Sequence, residues 1–294
     1  MRYQITHHTR YRYETPVTAS YSEARLLPRN DGHQACVFSE LVIDPAPADQ
    51  RERTDHFGNR TVYFAIDRPH DELHVRAVSE VEVRAAEHRP DHWSDLAWQA
   101  ARDRLRAELT TEALTARQFT LDSPFVTTPP ELARYAAPSF PPGRPLVEAV
   151  IDLSHRIHQD FDYQPGATTT ATSVAEVLER RAGVCQDFAH LAIGCVRSMG
   201  LAARYVSGYL ETDPPPGQER LLGADASHAW LSVYVPGDGW LELDPTNAQI
   251  PNQRYVVTAW GRDYGDVTPI KGVVFSAGGT HELAVAVDVV RLGV

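Results

Sequence analysis

Lysine is nearly absent from this sequence: Lys271 stands alone among 28 basic residues, against 39 acidic ones, and the formal net charge is -11. No Lys/Arg run supplies a basic face for phosphates to neutralise, so a nucleic-acid partner is not expected. Cysteine is scarce as well. Cys36, Cys185 and Cys195 make an odd number in a large chain rather than a disulfide framework, which points to reduced thiols and a cytoplasmic setting. No stretch approaches the ~20 apolar residues needed to span a bilayer, and the opening MRYQITHHTRYRYE lacks the apolar centre of a secretion signal, so no membrane partner is expected either. GxSxG, HExxH, P-loop and EF-hand patterns are also missing, which removes the usual serine hydrolase, metalloprotease, NTPase and calcium-module readings.

What is present suits a folded chain with two cores. Hydrophobic residues at 43% and charged residues at 23% are near globular averages, and 294 residues exceed a typical single domain. Residues 3 to 13 alternate strictly, with Tyr3, Ile5, His7, Thr9, Tyr11 and Tyr13 on one side, as in a half-buried strand. CVFSELVID, then RTVYFAI after the turn at Phe57-Gly58-Asn59, then LHVRAVSEVEVRA continue the β-rich pattern. Residues 1–88 are therefore expected to form an N-terminal antiparallel β domain of sandwich type. Residues 89–143, with a helical WSDLAWQAARDRLRAEL and then TTPPELARYAAPSFPPGRP punctuated by six prolines, read as a helix and an irregular connecting segment.

A second unit, residues 144–294, opens after Pro145, where Leu146, Val150, Leu153 and Ile157 recur at four, three and four as the stripe of a buried helix. Ser173-Val-Ala-Glu176 matches a capping box, and the helix that it opens should end near Arg181. Gly183 then permits a tight turn. From Cys185 the apolar residues Phe188, Leu191, Ala192, Cys195, Val196 and Met199 step by three, one, three, one and three, a buried helix with Gly200 as its C-terminal cap. ARYVSGYL, HAWLSVYV, WLELD, KGVVFSA and ELAVAVDVV are strand-like and give this unit a β-rich second half, with a polar Pro-rich loop from Glu211 to Ser227 between the first two. The fold class expected is α+β.

Cys185 stands at the start of its helix. A thiol is a weak nucleophile until ionised, and its free pKa of about 8.5 falls beside helix-terminal amides or a cationic imidazole. The Cys185 backbone N–H can also receive the oxyanion that forms when a carbonyl is attacked. Free Cys is usually just a small buried residue, as Cys195 is within its stripe, so position alone decides little. Partners decide it. His228 opens HAWLSVYV and Asp244 closes WLELD, with PGDG between them as a turn.

The apolar sets Ala229, Leu231, Val233, Val235 and Leu241, Leu243 are all odd-numbered, so an antiparallel pair with an odd loop puts His228 and Asp244 together on the opposite face. A three-residue loop is expected to hold the two side chains too far apart. A five-residue loop from Val235 to Gly239 pairs Trp230 with Asp244 and makes His228 a diagonal neighbour, at roughly 7 to 8 Å between backbones. The carboxylate would then orient the imidazole and leave its other nitrogen for the thiol.

Other candidates are weaker. His155 and His158, with Asp152 and Asp160 nearby, lack a third or fourth ligand and read as a solvated helix face, so no metal is assigned. His190 points about 140° around the helix from Cys185 and is poorly placed as a base. Trp230 and Trp240 suit the wall of a substrate channel, or simply packing.

RAGVCQDFAHLAIGCVRSMGLAARYVSGYL, followed by DASHAWLSVYVPGDGWLELDPTN, resembles the bacterial transglutaminase-like proteins. The strand-rich start with DHFGN is similar to their N-terminal β domain, and AWGRDYGDVTPIKGVV to their C-terminal stretch, so the likeness covers nearly the whole chain. It implies a papain-like α+β core behind a β-sandwich, with Cys185, His228 and Asp244 as the catalytic Cys, His and Asp of a thiol protease or acyl-transfer enzyme. The Trp that helps bind the oxyanion in animal members has no equivalent assigned here.

The chemistry implied is attack of the Cys185 thiolate on an amide carbonyl of a protein or peptide, such as a glutamine side chain, through a thioester. Water resolving it makes a peptidase or amidase, the simpler expectation; an amine makes a transglutaminase or amide ligase. No cofactor is expected, and no clustered acidic loop supports calcium. A non-catalytic scaffold on the same fold should lack a triad member, and none is missing here. Oligomeric state is not legible, although free sheet edges in the first domain permit a partner.

Overall fold

The computed structural model describes residues 1–84, 93–212 and 227–293. Its first part is organised by one long strand, β1 (Arg2–Ala24), followed by β2 (Gln34–Asp44), β3 (Asp49–Thr54), β4 (Arg60–Ile66) and β5 (His70–Val83). The alternation read from residues 3 to 13 is realised, with Tyr3, Ile5, His7 and Thr9 buried. At a bulge between Val17 and Ala19 the phase flips, and Ser20, Ser22 and Ala24 become the buried set. One extra residue is enough to turn a two-residue period over. β1 therefore serves two sets of partners: its first half pairs with β5 and its second with β4. The strand order is β2-β5-β1-β4-β3, all antiparallel.

Helices follow: α1 (Trp98–Ala107), α2 (Thr111–Arg117), α3 (Pro130–Ala136) and α4 (Leu146–Asp160). The connecting segment is more regular than expected. α3 forms inside the proline-rich stretch because Pro130 occupies its first turn, where the missing N–H costs nothing, and the other prolines lie outside it. The α4 stripe is as expected, with Leu146, Val150, Leu153 and Ile157 each at most 1% exposed.

Next come β6 (Asp162–Tyr163), α5 (Val174–Arg180), β7 (Ala182–Gly183) and α6 (Cys185–Ser198). The capping box at Ser173 and Glu176 is formed, and α5 stops at Arg181 in the left-handed region. Helix α6 is the buried centre of the second core, packed on a four-stranded sheet ordered β10-β9-β8-β11. These strands are β8 (Ala203–Leu210), β9 (Ser227–Val235), β10 (Gly239–Leu243) and β11 (Tyr255–Gly261), and a short α7 (Tyr264–Val267) follows. The Pro-rich loop read between Glu211 and Ser227, and the boundary placed at residue 88, fall largely outside the described residues.

The chain end departs from the expectation that residues 144–294 form one unit. β12 (Ile270–Ser276) and β13 (His281–Leu292) pair with β1, not with the four-stranded sheet. β13 runs along residues 2 to 13 of β1, and β12 along residues 17 to 24. Alternation in ELAVAVDVV declares a strand but not its neighbour, and the free edge of β1 was the available one.

The two sheets meet through side chains that act as an extra strand. β11 is an edge, and the Gln34 carboxamide accepts from Val257 N at 2.8 Å and donates to Val257 O at 2.7 Å. Asn59 does the same for Trp260, at 2.9 and 2.8 Å. Asp55 holds Asn59 in place, accepting from its amide and from Phe57, while Gly58 supplies the positive φ of 78° that the turn needs. The DHFGN segment is thus a device that satisfies the edge of the second sheet. Tyr3, Ile5, Val81, Val287 and Val289 pack with Tyr209 and Val256 across the same junction.

Candidate active site

Cys185 is the first residue of α6, half-buried, with Val184 in extended backbone as the N-cap. A helix's first N–H groups have no partner inside the helix, so the Cys185 amide belongs to the set that can meet a ligand. Asp187 folds back over this turn, its Oδ2 accepting from Val184 N at 2.8 Å and from the Thr168 hydroxyl at 2.6 Å. That explains Gly183, which is needed for space rather than for backbone freedom: a Cβ there would lie 2.7 Å from the Asp187 carboxylate. Burial raises the Asp187 pKa above the ordinary carboxylate value despite those two donors.

His228 and Asp244 come together as the parity of their strands requires. Gly239 pairs with Val235 and Leu243 with Leu231, which puts Asp244 next in line, opposite Trp230. Only Pro236, Gly237 and Asp238 lie outside this ladder, so the loop has three residues, and the expectation that such a loop would separate the pair is wrong. Loops of three and five residues centred on the same Gly237 align the strands identically; the centre sets the register. Gly237 and Gly239, with φ of 97° and 104°, provide the turn that fixes that centre.

His228 Nε2 lies 2.7 Å from Asp244 Oδ2, with the His side chain 10% exposed and the carboxylate fully buried. The half-buried Cys185 thiol is near enough to act electrostatically on the same imidazole. Since Nε2 is engaged by Asp244, Nδ1 is the nitrogen left for sulfur. Burial disfavours the imidazolium, but the hydrogen bond to Asp244 and the influence of Asp244 and Cys185 as negative groups outweigh it and raise the His228 pKa to about 9. Burial also acts against the Asp244 carboxylate and is again outweighed, by His228, Asn247 and Tyr255, so its pKa is lowered.

Two members of this cluster were not singled out from the sequence. Asn247 donates to Asp244 Oδ2 at 2.7 Å, and the backbone amides of Thr246 and Asn247 cover Oδ1, so DPTN is a loop wrapped around one carboxylate. The Tyr255 hydroxyl, from β11, donates to the same Oδ2 at 2.7 Å. Asx-turn chemistry in DPTN was a legible signal for Asn247; nothing local marks Tyr255. Trp230 is fully buried, stacks beside His228 at 5.9 Å and gives its indole N–H to Glu242 at 3.2 Å. Trp240 packs on Phe119 and Tyr234.

The remaining candidates lie elsewhere. His190 is 3% exposed, accepts from Tyr264 N at 3.1 Å, and burial lowers its pKa to about 3, so it stays neutral as a structural acceptor. His155 and His158 are exposed, the latter bonded to Thr246 O at 2.9 Å. Cys195 is fully buried, and that burial pushes its thiol up to about 12. Among the described residues no helix is long and apolar enough to cross a membrane.

Comparison with known proteins gives two family matches. Residues 3–82 match the bacterial transglutaminase-like N-terminal region, and residues 135–245 match the transglutaminase-like superfamily. An uncharacterized protein of Mycobacterium tuberculosis is 48% identical over 302 residues, covering 98% of this chain and 92% of its own length. A protein-glutamine gamma-glutamyltransferase of Pseudomonas aeruginosa is 29% identical over 130 residues, covering 38% of this chain and 20% of that protein. A crystal structure described as "a Putative Cysteine Protease from Cytophaga hutchinsonii" superposes with a TM-score of 0.78 at 19% identity, over 100% of this chain and 92% of that one. At that identity it is the fold that is shared.

Proposed function

The chain belongs to the transglutaminase-like superfamily of cysteine enzymes, and from that premise we propose that it is a thiol-dependent acyl-transfer enzyme that cleaves amide bonds in proteins or peptides. The observation that carries this reading is the position of His228, bonded to the buried Asp244 through Nε2 and raised in pKa by both Asp244 and Cys185. With a pKa near 9 the imidazole is protonated at neutral pH, the form that pairs with a thiolate and holds a proton ready for a leaving group.

Sulfur of Cys185 attacks the amide carbonyl carbon, and the Cys185 N–H faces the oxyanion. His228 gives its proton to the amide nitrogen, the C–N bond breaks, the amine leaves, and a thioester remains. Water then attacks the thioester while the neutral His228 takes its proton; the C–S bond breaks, the acid departs and the thiolate–imidazolium pair returns. Asp244 keeps the imidazole in one orientation throughout and stabilises its cation. The name of the Pseudomonas aeruginosa relative supports a second reading, in which a primary amine replaces water. The unpaired cysteines suit a reducing, cytoplasmic setting.

Iodoacetamide titration across pH tests the first half. Cys185 should label well below pH 8, faster than Cys195, and slowly once His228→Ala is introduced; equal, slow labelling of all three cysteines would end the enzyme reading. Incubation with a peptide library, with and without an added primary amine, separates the two outcomes, since water yields cleaved acids and amine transfer yields conjugates.

A further inference from the structure

A second cavity, of about 300 Å³, opens where the N-terminal sheet meets the outer face of the four-stranded sheet, and its lining contains none of Cys185, His228 and Asp244. That volume is at the lower end of the range for small-ligand sites. Its most unusual feature is Arg204. The residue is 7% exposed, and its guanidinium is clamped between two indoles, 4.1 Å from the Trp240 ring and 3.7 Å from Trp260. Among the described residues its one hydrogen bond runs from Nε to the Ser232 hydroxyl at 2.9 Å, which leaves the two terminal nitrogens to the cavity that the residue lines.

Arg29, also 7% exposed, covers Trp260 as well, at 3.1 Å; its guanidinium donates to Asn59 Oδ1 and Phe57 O and forms no ion pair among the described residues. Two buried cations thus flank one indole. Buried charges are ordinarily paired. Here the terminal nitrogens of Arg204 instead face a cavity.

Opposite lies Glu242. Arg204 pairs with Ser232 across β8 and β9, and Ser232 pairs with Glu242 across β9 and β10, so all three stand side by side on one face. Two strand spacings of about 4.8 Å keep the outer pair near 10 Å apart at the backbone, with only the small Ser232 between them. No Arg204–Glu242 ion pair forms among the described residues. Trp230 donates to one Glu242 oxygen, the one hydrogen bond of that carboxylate among the described residues. Burial pushes the Glu242 carboxyl up to about 7, against the pull of Arg204, which is the state of a carboxylate short of a cation. Ile151 and Ile250 give the cavity an apolar wall.

We propose that this cavity binds a compact zwitterion, a free α-amino acid or the equivalent end-to-end charge pair of a dipeptide, with its carboxylate on Arg204, its ammonium on Glu242 and an apolar side chain on the Ile151 wall. A fork of two N–H groups is the geometry that grips a carboxylate, and the facing acid excludes simple anions. The site is independent of acyl transfer, yet it touches the triad, because Tyr255 lines it and bonds Asp244.

Calorimetric titration of the full chain, with Cys185 first alkylated so that the catalytic cleft is blocked, tests this with the twenty L-amino acids. Saturable one-site binding is expected for leucine or phenylalanine, and their amides and N-acetyl derivatives should each bind about tenfold or more weakly, the loss of one charge-assisted contact. Arg204→Met should abolish binding. Ile151→Trp, which fills the wall without touching either charge, should do the same with an unchanged melting temperature, and it carries the test if the Arg204 variant does not fold. Absence of saturation by all twenty, an amide that binds as well as its acid, loss of binding on Cys185 alkylation, or a normal isotherm with Ile151→Trp would each overturn the proposal.

Discussion

The two faces of the β9–β10 hairpin share one backbone and have almost nothing else in common. On the odd-numbered face, Ala229, Leu231, Val233, Val235, Leu241 and Leu243 are at most 4% exposed and belong to the core around α6. The even-numbered face carries His228, Trp230, Ser232, Glu242 and Asp244, and much of it is covered too, with Trp230, Ser232 and Asp244 at 0% exposure and His228 and Glu242 partly buried. Burial therefore separates the faces only weakly. The requirement on each residue separates them: an odd position needs apolar volume of about the right shape, whereas an even position needs a particular atom at hydrogen-bond distance from another. One face should fail by unfolding and the other by losing chemistry in a folded chain.

His228→Gln is the sharpest break between them. The amide retains a donor for Asp244 but cannot accept and return a proton, so alkylation of Cys185 near neutral pH should slow by about 10²–10⁴-fold while thermal unfolding shifts little. A melting temperature that collapses along with reactivity would mean that the even face is structural after all. Leu231→Ala tests the other side. It should cost about 2–5 kcal/mol in denaturant unfolding, through lost burial and the cavity left behind, with the alkylation rate of the folded fraction unchanged.

The third expected effect is a pH signature belonging to the even face alone. His228 has its folded value raised from 6.5 to about 9, so its stabilisation is complete below 6.5 and is lost as pH rises through about 9. Asp244 has its folded value lowered, so its contribution is present above 3.8 and is lost as pH falls through the lower folded value. The stability gap between the native chain and Asp244→Asn should thus be widest between pH 3.8 and 6.5 and should narrow toward pH 9. Leu231→Ala should show a gap that does not vary across that range.

Much of this contrast was legible beforehand, because both faces are written in local periodicity. The odd-numbered apolar sets, the 4-3-4 stripe of α4, the capping box at Ser173 and the helix-start position of Cys185 each follow from neighbours in sequence. The loop length was misjudged and the register was not, since parity and the turn centre outweigh the number of loop residues. Illegible features were those settled by distant chain. Residues 281 to 292 alternate like many strands, and only the free edge of β1 decides where they go. The bulge at Val17, the use of Gln34 and Asn59 as substitute strand partners, and the space demanded at Gly183 by Asp187 all depend on tertiary approach.

Tyr255 tests whether the even face ends at the hairpin. It sits on β11, an edge strand completed by side chains of the N-terminal domain, and its hydroxyl is one of three donors to Asp244 Oδ2, with His228 and Asn247. Because two donors remain, Tyr255→Phe removes an orienting contact without stranding the carboxylate. About 1 kcal/mol is expected, seen as a roughly fivefold fall in kcat with KM unchanged and a slight downward shift of the melting temperature. Acting through Asp244, the substitution should have little further effect in an Asp244→Asn background, which a double-mutant cycle measures. If the two losses instead add in full, Tyr255 acts on something other than Asp244, and the polar face that orients His228 stops at the hairpin.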